Sequence, residues 1–204
     1  VERKWDALVG SGVSSISMSL DGLEGLVSIG GELQIGRNAA LEDLSALSGL
    51  SDIGGDILIG DNDALATLEG LEGLTALANS IYLRDNDAMT DLTGLDNLSS
   101  VGDYLYIYDN VGLLSLDGLE TLRNVGLDLV IDNNAVLNDV SAAHTITDIG
   151  DELIITDNPD LSTEDAEALR SMGVAKIYTP KNFELNAIMG DIVTLVDPQN
   201  LAAE

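Results

Sequence analysis

Apolar and polar residues alternate in short bursts along this chain, and each burst runs into the same polar pair. "DILIGDND", "SIYLRDND", "YLYIYDNV" and "ELIITDNP" begin at Asp56, Ser80, Tyr104 and Glu152. Within a burst the apolar residues lie two apart, as Ile57 and Ile59 do, which sets both on one face of a short strand. Between bursts the step changes to three: Leu65, Leu68, Leu71, Leu74 and Leu77 follow Asn62. That step suits tight bends and short irregular pieces better than a full helix.

The Asn of each pair recurs at Asn38, Asn62, Asn86, Asn110, Asn134 and Asn158, always 24 residues on. A fixed period of this size is the mark of a solenoid, in which each repeat is one coil and neighbouring coils share a core. The apolar positions keep the same register through Met89, Leu92, Leu95, Leu98 and Val101, then Leu113, Leu116, Leu119, Leu122 and Val125. An earlier turn has Ser14 in place of the Asn. The last turn thins at Val140 and Ala143 and recovers at Ile146, Ile149, Leu153 and Ile155. Gly54, Gly102, Gly126 and Gly150 mark corners where a side chain would hinder the bend. A buried Asn at one corner of every coil can hydrogen-bond backbone groups of its neighbour. The expectation is a mainly β, parallel solenoid of six to seven coils, its strands stacked about 4.8 Å apart with the Asn side chains in one column.

The wording "LSGLSDIGGDILIGDNDALATLEGL" resembles the leucine-rich repeats of bacterial proteins similar to receptor L domains, L-x-x-I-G-G-x-L-x-I-x-x-N-x-x-L. The resemblance covers residues 14–161. It implies a right-handed parallel β-solenoid used for binding, usually outside the cell, with no enzyme activity. The missing Asn of the first turn suggests an atypical capping coil.

Three segments follow: an N-terminal cap over 1–13, the solenoid over 14–161, and a C-terminal helix–strand–helix cap over 162–204. Val1, Trp5, Leu8 and Val9 supply the first cap with an amphipathic pattern. Ser162 or Thr163 is the expected N-cap of the first C-terminal helix, with acidic residues in its first turn and Gly173 beyond its end. Phe183, Ile188, Met189, Ile192, Val193 and Val196 are spaced for one face of a second helix. Residues 164–197 resemble the C-terminal end of the cobalamin-binding domain of acyl-CoA mutases. That family ligates cobalt through the His of a D-x-H-x-x-G motif, which this sequence lacks. Its one histidine, His144, falls in a surface turn of the repeat. A partial fold without its site implies no cobalamin binding.

Composition narrows the functional classes. Apolar residues make up 45% of the 204, aromatics 3%, so the core is built of aliphatic side chains in similar layers. Eight Lys and Arg stand against 36 Asp and Glu, a formal charge of −28. Such a chain repels nucleic acid and anionic lipid; its charge fits cation binding, a basic partner, mimicry of DNA, or plain solubility. Without cysteine there are no disulfides or thiolate metal sites. No apolar run reaches the roughly 18 residues of a membrane span, and no signal peptide is present. The chain opens "VERKW" without Met and reads as processed or cut from a longer protein.

Two columns carry candidate function. The residue between the inward pair of each strand points outward, giving Gln34, Leu58, Tyr82, Tyr106, Val130 and Ile154. Tyr104, Tyr108 and Arg84 flank it, so four of the five tyrosines gather on two adjacent coils. Tyr and Arg are favoured binding anchors, and an exposed apolar stripe on a sheet invites a cover. Cross-strand stacking that merely stabilises the sheet is the alternative. Asp61, Asp85, Asp109, Asn133 and Asp157 form the second column. Stacked carboxylates repel, and calcium between them would relieve that; the alternative is that each Asp caps its own turn.

Neither a nucleophile elbow nor a G-x-x-x-x-G-K-S/T loop is present, and acid pairs such as Glu69 and Glu72 lie on solvated turns. The functional expectation is a non-catalytic recognition or adhesion module of a secreted or cell-surface protein. It would bind a protein or glycan through Leu58, Tyr82, Arg84, Tyr104, Tyr106, Tyr108 and Val130. The alternative is a structural spacer or a subunit that assembles with copies of itself.

Overall fold

The computed structural model describes residues 19–162 and Asp165. The start of the Ser14 turn, the expected N-terminal cap and, Asp165 apart, the chain beyond Ser162 lie outside the described residues. Eleven strands run in chain order: β1 (Ser28–Ile29), β2 (Leu33–Gly36), β3 (Asp52–Ile53), β4 (Ile57–Gly60), β5 (Ile81–Arg84) and β6 (Ser100–Val101). They continue as β7 (Leu105–Tyr108), β8 (Asn124–Val125), β9 (Leu129–Asp132), β10 (Asp148–Ile149) and β11 (Leu153–Thr156).

The six four-residue strands form one parallel sheet in the order β11-β9-β7-β5-β4-β2. Each residue pairs with the one 24 positions later, as Ile57 with Ile81 and Ile81 with Leu105. The chain is a parallel β-solenoid. The two-residue strands stack on a second side of the coil, β1 with β3 and β6 with β8 and β10. A Leu77–Val101 bridge extends that second column.

The core is a pile of aliphatic layers. Leu65, Leu68, Leu71 and Leu74, with their counterparts one and two coils on, are buried. The three-residue step has a direct cause. Leu71 N–H donates to Leu68 C=O and Leu74 N–H to Leu71 C=O, so consecutive i-to-i+3 turns bring every third side chain back to the interior. Met89 and Leu113 start the same series by donating to Asn86 and Asn110 C=O.

Asn62, Asn86, Asn110, Asn134 and Asn158 stand buried in one column. Each reaches back one coil. Asn110 Oδ1 accepts from the Asn86 N–H at 3.1 Å, and its Nδ2 donates to Leu83 C=O at 3.1 Å. Asn134 repeats this on Asn110 and Ile107, at 3.2 and 3.1 Å. The Asn86 and Asn110 N–H groups, at the corner beyond the strands, are thus satisfied in the dry interior, and the strand carbonyls of Leu83 and Ile107 receive a side-chain donor.

Coil height is set by glycine. A Cβ on Gly126 would lie 1.8 Å from Gly102 C=O, and one on Gly150 1.9 Å from Gly126 C=O. On the other side of the coil Gly70, Gly94 and Gly118 take φ of 115°, 113° and 105°. Ala46 and Ala142 hold the equivalent positions, and there the turn becomes a 3-10 helix, Ser45–Leu47 and Ser141–Thr145. Ala resists the positive φ that Gly adopts freely, so the chain winds differently at those two coils. Ser162 Oγ accepts from the Asp165 N–H at 3.1 Å, while the helix expected to follow lies, Asp165 apart, outside the described residues.

Candidate functional site

Strand alternation builds the tyrosine face. In β5 and β7 the inward residues Ile81, Leu83, Leu105 and Ile107 are buried, while Tyr82, Arg84, Tyr106 and Tyr108 are half-exposed. Register sets Tyr82 beside Tyr106 and Arg84 beside Tyr108. The Tyr106 ring meets Tyr82 and Tyr104 edge-on, with centroids 5.4 Å away in both pairs. Such edge-to-face contact is favoured by the ring quadrupoles and holds the rings in fixed orientations. Tyr106 Oη donates to Asp128 Oδ2 at 3.3 Å.

Val130 continues the column on β9, half-exposed beside Tyr106. Leu58 differs. It lies in register between Gln34 and Tyr82 but is 3% exposed, and all four residues of β4 are buried. The accessible part of the face therefore runs over β5, β7 and β9.

The Asp column has a backbone cause. Asp61, Asp85, Asp109, Asn133 and Asp157 take φ between 50° and 60°, and Arg37, at the same position of the first described coil, takes 62°. Asp and Asn are the side-chain-bearing residues most at ease in this left-handed region. Arg84 and the column's own Asn133 answer its charge. Arg84 grips Asp61 through Nη2–Oδ2 at 2.6 Å and Nη1–Oδ1 at 3.4 Å, and Nη1 also pairs with Asp85. Asn133 Nδ2 donates to Asp109 Oδ1 at 2.6 Å. Among the described residues no group of three or more His, Asp or Glu side chains is placed to hold a metal ion.

Electrostatics follow burial. Tyr106 is pushed up to about 12, first by burial and then by the Asp128 carboxylate that accepts its hydroxyl proton. Burial also raises Tyr108, with nearby Arg84 opposing. Asp85 is raised because burial outweighs the Arg84 guanidinium, with Asp61 and Asp109 adding repulsion. At neutral pH Tyr106 and Tyr108 are therefore uncharged hydroxyl-bearing rings.

Asp128 and the grip of Asp61 on Arg84 are features that sequence reasoning missed. Asp128 lies 24 residues after Tyr104, one coil on in the same register, and that spacing was the available signal. Many other acids serve turns. Glu72, Asp96 and Glu120 accept the N–H of Gly70, Gly94 and Gly118 at 2.8–2.9 Å. Asp43, Asp91 and Asp139 accept from the N–H two residues on. Asp43 is held below its usual range by the Ser45 hydroxyl and N–H, and Asp139 by the Ser141 N–H. His144 is exposed in its 3-10 turn, away from the tyrosines.

Fold and face together define a repeat protein of the parallel β-solenoid class with an aromatic patch on its sheet. No family model matches the chain, and no solved structure matches it. A stretch of 41 residues is 68% identical to ethylmalonyl-CoA mutase of Cereibacter sphaeroides; it covers 20% of this chain and 6% of that enzyme. The mutase resemblance read in the sequence lies at residues 164–197, which, Asp165 apart, are outside the described residues.

Proposed function

We propose that this protein is a non-catalytic recognition or adhesion module of the leucine-rich-repeat, receptor L-domain-like kind, displayed on or secreted from a bacterial cell. Its partner, a protein or a glycan, docks on the outward sheet face at Tyr82, Tyr104, Tyr106 and Tyr108. One observation carries the reading: rings that are rare elsewhere in the chain are concentrated, edge-packed and half-exposed on two adjacent strands. Rigid aromatic surface with polar tips binds at small entropic cost, because few torsions must be frozen. The repeat wording supports the family and the extracellular setting. Neither calcium nor cobalamin has a part in it.

A protein and glycan array probed with the wild type and with Tyr82→Ser/Tyr106→Ser tests this. A ligand bound by the wild type and lost in the double variant supports the reading; binding that ignores the substitutions refutes the site.

The second reading is a self-assembling spacer, favoured by the exposure of Leu23 and Val27, 41% and 59%, in the first described coil. Light scattering after size exclusion separates the two, since a monomer at high concentration supports recognition and end-to-end polymers support assembly.

A further inference from the structure

Carboxylates stand close to the tyrosine face: Asp85 and Asp109 follow its two strands, and Asp56 and Asp128 precede the strands on either side. At the start of the sheet strands the flanking column reads Glu32, Asp56, Ser80, Tyr104, Asp128 and Glu152. At their ends it reads Arg37, Asp61, Asp85, Asp109, Asn133 and Asp157. The strands between are four residues long, so the two rows stand about 16 Å apart at ordinary strand rise. The rings thus lie on the floor of a strip whose margins, Arg37, Ser80, Tyr104 and Asn133 apart, are carboxylates.

The chain already seats one cation on this strip. The Arg84 guanidinium lies on the outward side of β5, in register with Tyr108, and is held by Asp61 and Asp85. It shows the chemistry the surface accepts: a planar cation beside a tyrosine, clasped by carboxylates of successive coils. Tyr82 and Tyr106 present the same combination two residues earlier in their strands, with Asp128 at hand, and among the described residues no Lys or Arg stands in register with them. Tyrosine faces attract guanidinium and ammonium groups, and carboxylate margins raise the local concentration of any basic chain.

Resting on the recognition reading above, we propose that the partner is a basic polypeptide segment. Its Arg or Lys side chains stack on Tyr82, Tyr104 and Tyr106 and pair with Asp128 and the carboxylates of the Asp column. Charge complementarity favours this over a neutral glycan, and the formal charge of −28 opposes a nucleic acid or an anionic lipid surface.

The test uses the full chain and a fluorescent peptide of alternating Gly and Arg, with a Lys version and an uncharged Gln version as controls. Saturable binding at about 0.15 M salt is expected, strongest for Arg, since its flat guanidinium both stacks and forms paired hydrogen bonds. Tyr82→Ser/Tyr106→Ser leaves the charge unchanged and should weaken binding roughly tenfold or more. Glu69→Gln/Asp117→Asn removes two exposed charges from turns about half a coil away and should change it by less than about twofold.

Equal loss in both variants would show attraction by net charge alone and overturn the proposal, as would the absence of saturable binding. A neutral array ligand that depends on Tyr82 and Tyr106, with no Arg-peptide binding, would overturn the basic partner while the recognition reading stands. Thermal unfolding of each variant, within a few degrees of wild type, confirms that folding is intact.

Discussion

Asn110 and Asn86, one coil apart, are bound through a side-chain oxygen: Asn110 Oδ1 accepts the buried N–H of Asn86 at 3.1 Å. The same amide donates to Leu83 C=O, so one side chain satisfies two backbone groups of the preceding coil. Ala at position 110 would strand the Asn86 N–H and take a donor from Leu83 C=O. With roughly 1–3 kcal/mol lost per unsatisfied buried group, Asn110→Ala should cost about 3 kcal/mol or more. Asn97→Ala removes an exposed amide bonded once, to Glu72 C=O, and should cost about 1 kcal/mol or less. Urea unfolding of the two variants checks this, and equal costs would contradict the ladder's role.

The corner glycines set a second expectation. Gly126→Ala forces a methyl onto Gly102 C=O, and the coils must separate to admit it. A loss of about 3 kcal/mol is expected, at the upper end of ordinary overpacking. Among the described residues nothing lies within 4 Å of a Cβ placed on Gly30, so Gly30→Ala should stay within about 0.5 kcal/mol of wild type. Melting temperatures of the pair separate stacking from simple chain flexibility.

Much of this was legible beforehand because it is periodic. The 24-residue interval of Asn62, Asn86 and Asn110 gave the column, and the two-apart spacing of Ile81 and Leu83 gave the inward face. Features that break the period were hidden. Ala46 and Ala142 look like ordinary small residues, yet they turn a positive-φ bend into a 3-10 helix. Leu58 shares its sequence position with Tyr82 but is buried, because exposure depends on what surrounds a strand as well as on its alternation. The backbone torsion behind the Asp column has no side-chain signature that separates it from an ion site.

That torsion makes a third prediction. Asp157 sits at φ 53°, where a β-branched residue is strained. Asp157→Val should cost about 1–2 kcal/mol, the penalty of the left-handed region, while Asp157→Gly should show no such penalty. Calcium should raise the unfolding midpoint no more than magnesium at equal ionic strength. Selective stabilisation by calcium would restore a cation role for the column.

Alkaline pH provides a fourth. Tyr106 ionises at about 12 in the folded chain against an ordinary 10, so the unfolded state releases its proton first. Its contribution to stability is present below pH 10 and is lost as pH rises from 10 through about 12. Ultraviolet titration of tyrosinate in the wild type and Asp128→Asn checks the cause, since the variant should bring Tyr106 down toward the ordinary value. At acid pH the sign reverses: Asp43 and Asp139 are depressed, and their contribution is lost as pH falls below 3.8 through their folded values.

The central claim is that the tyrosines face a partner and the leucines beside them face the core, and paired measurement on adjacent residues tests it most directly. Tyr82→Ser/Tyr106→Ser removes edge-packed rings from the outward side and should cost about 1.5 kcal/mol of stability or less. It should weaken binding of the array-selected ligand, or self-association, by about 2 kcal/mol or more. Leu83→Ala, one residue from Tyr82 and buried, should cost about 2–5 kcal/mol of stability. The account predicts this split between binding and folding; equal loss of stability in both variants, with binding unchanged by the tyrosine substitutions, would contradict it.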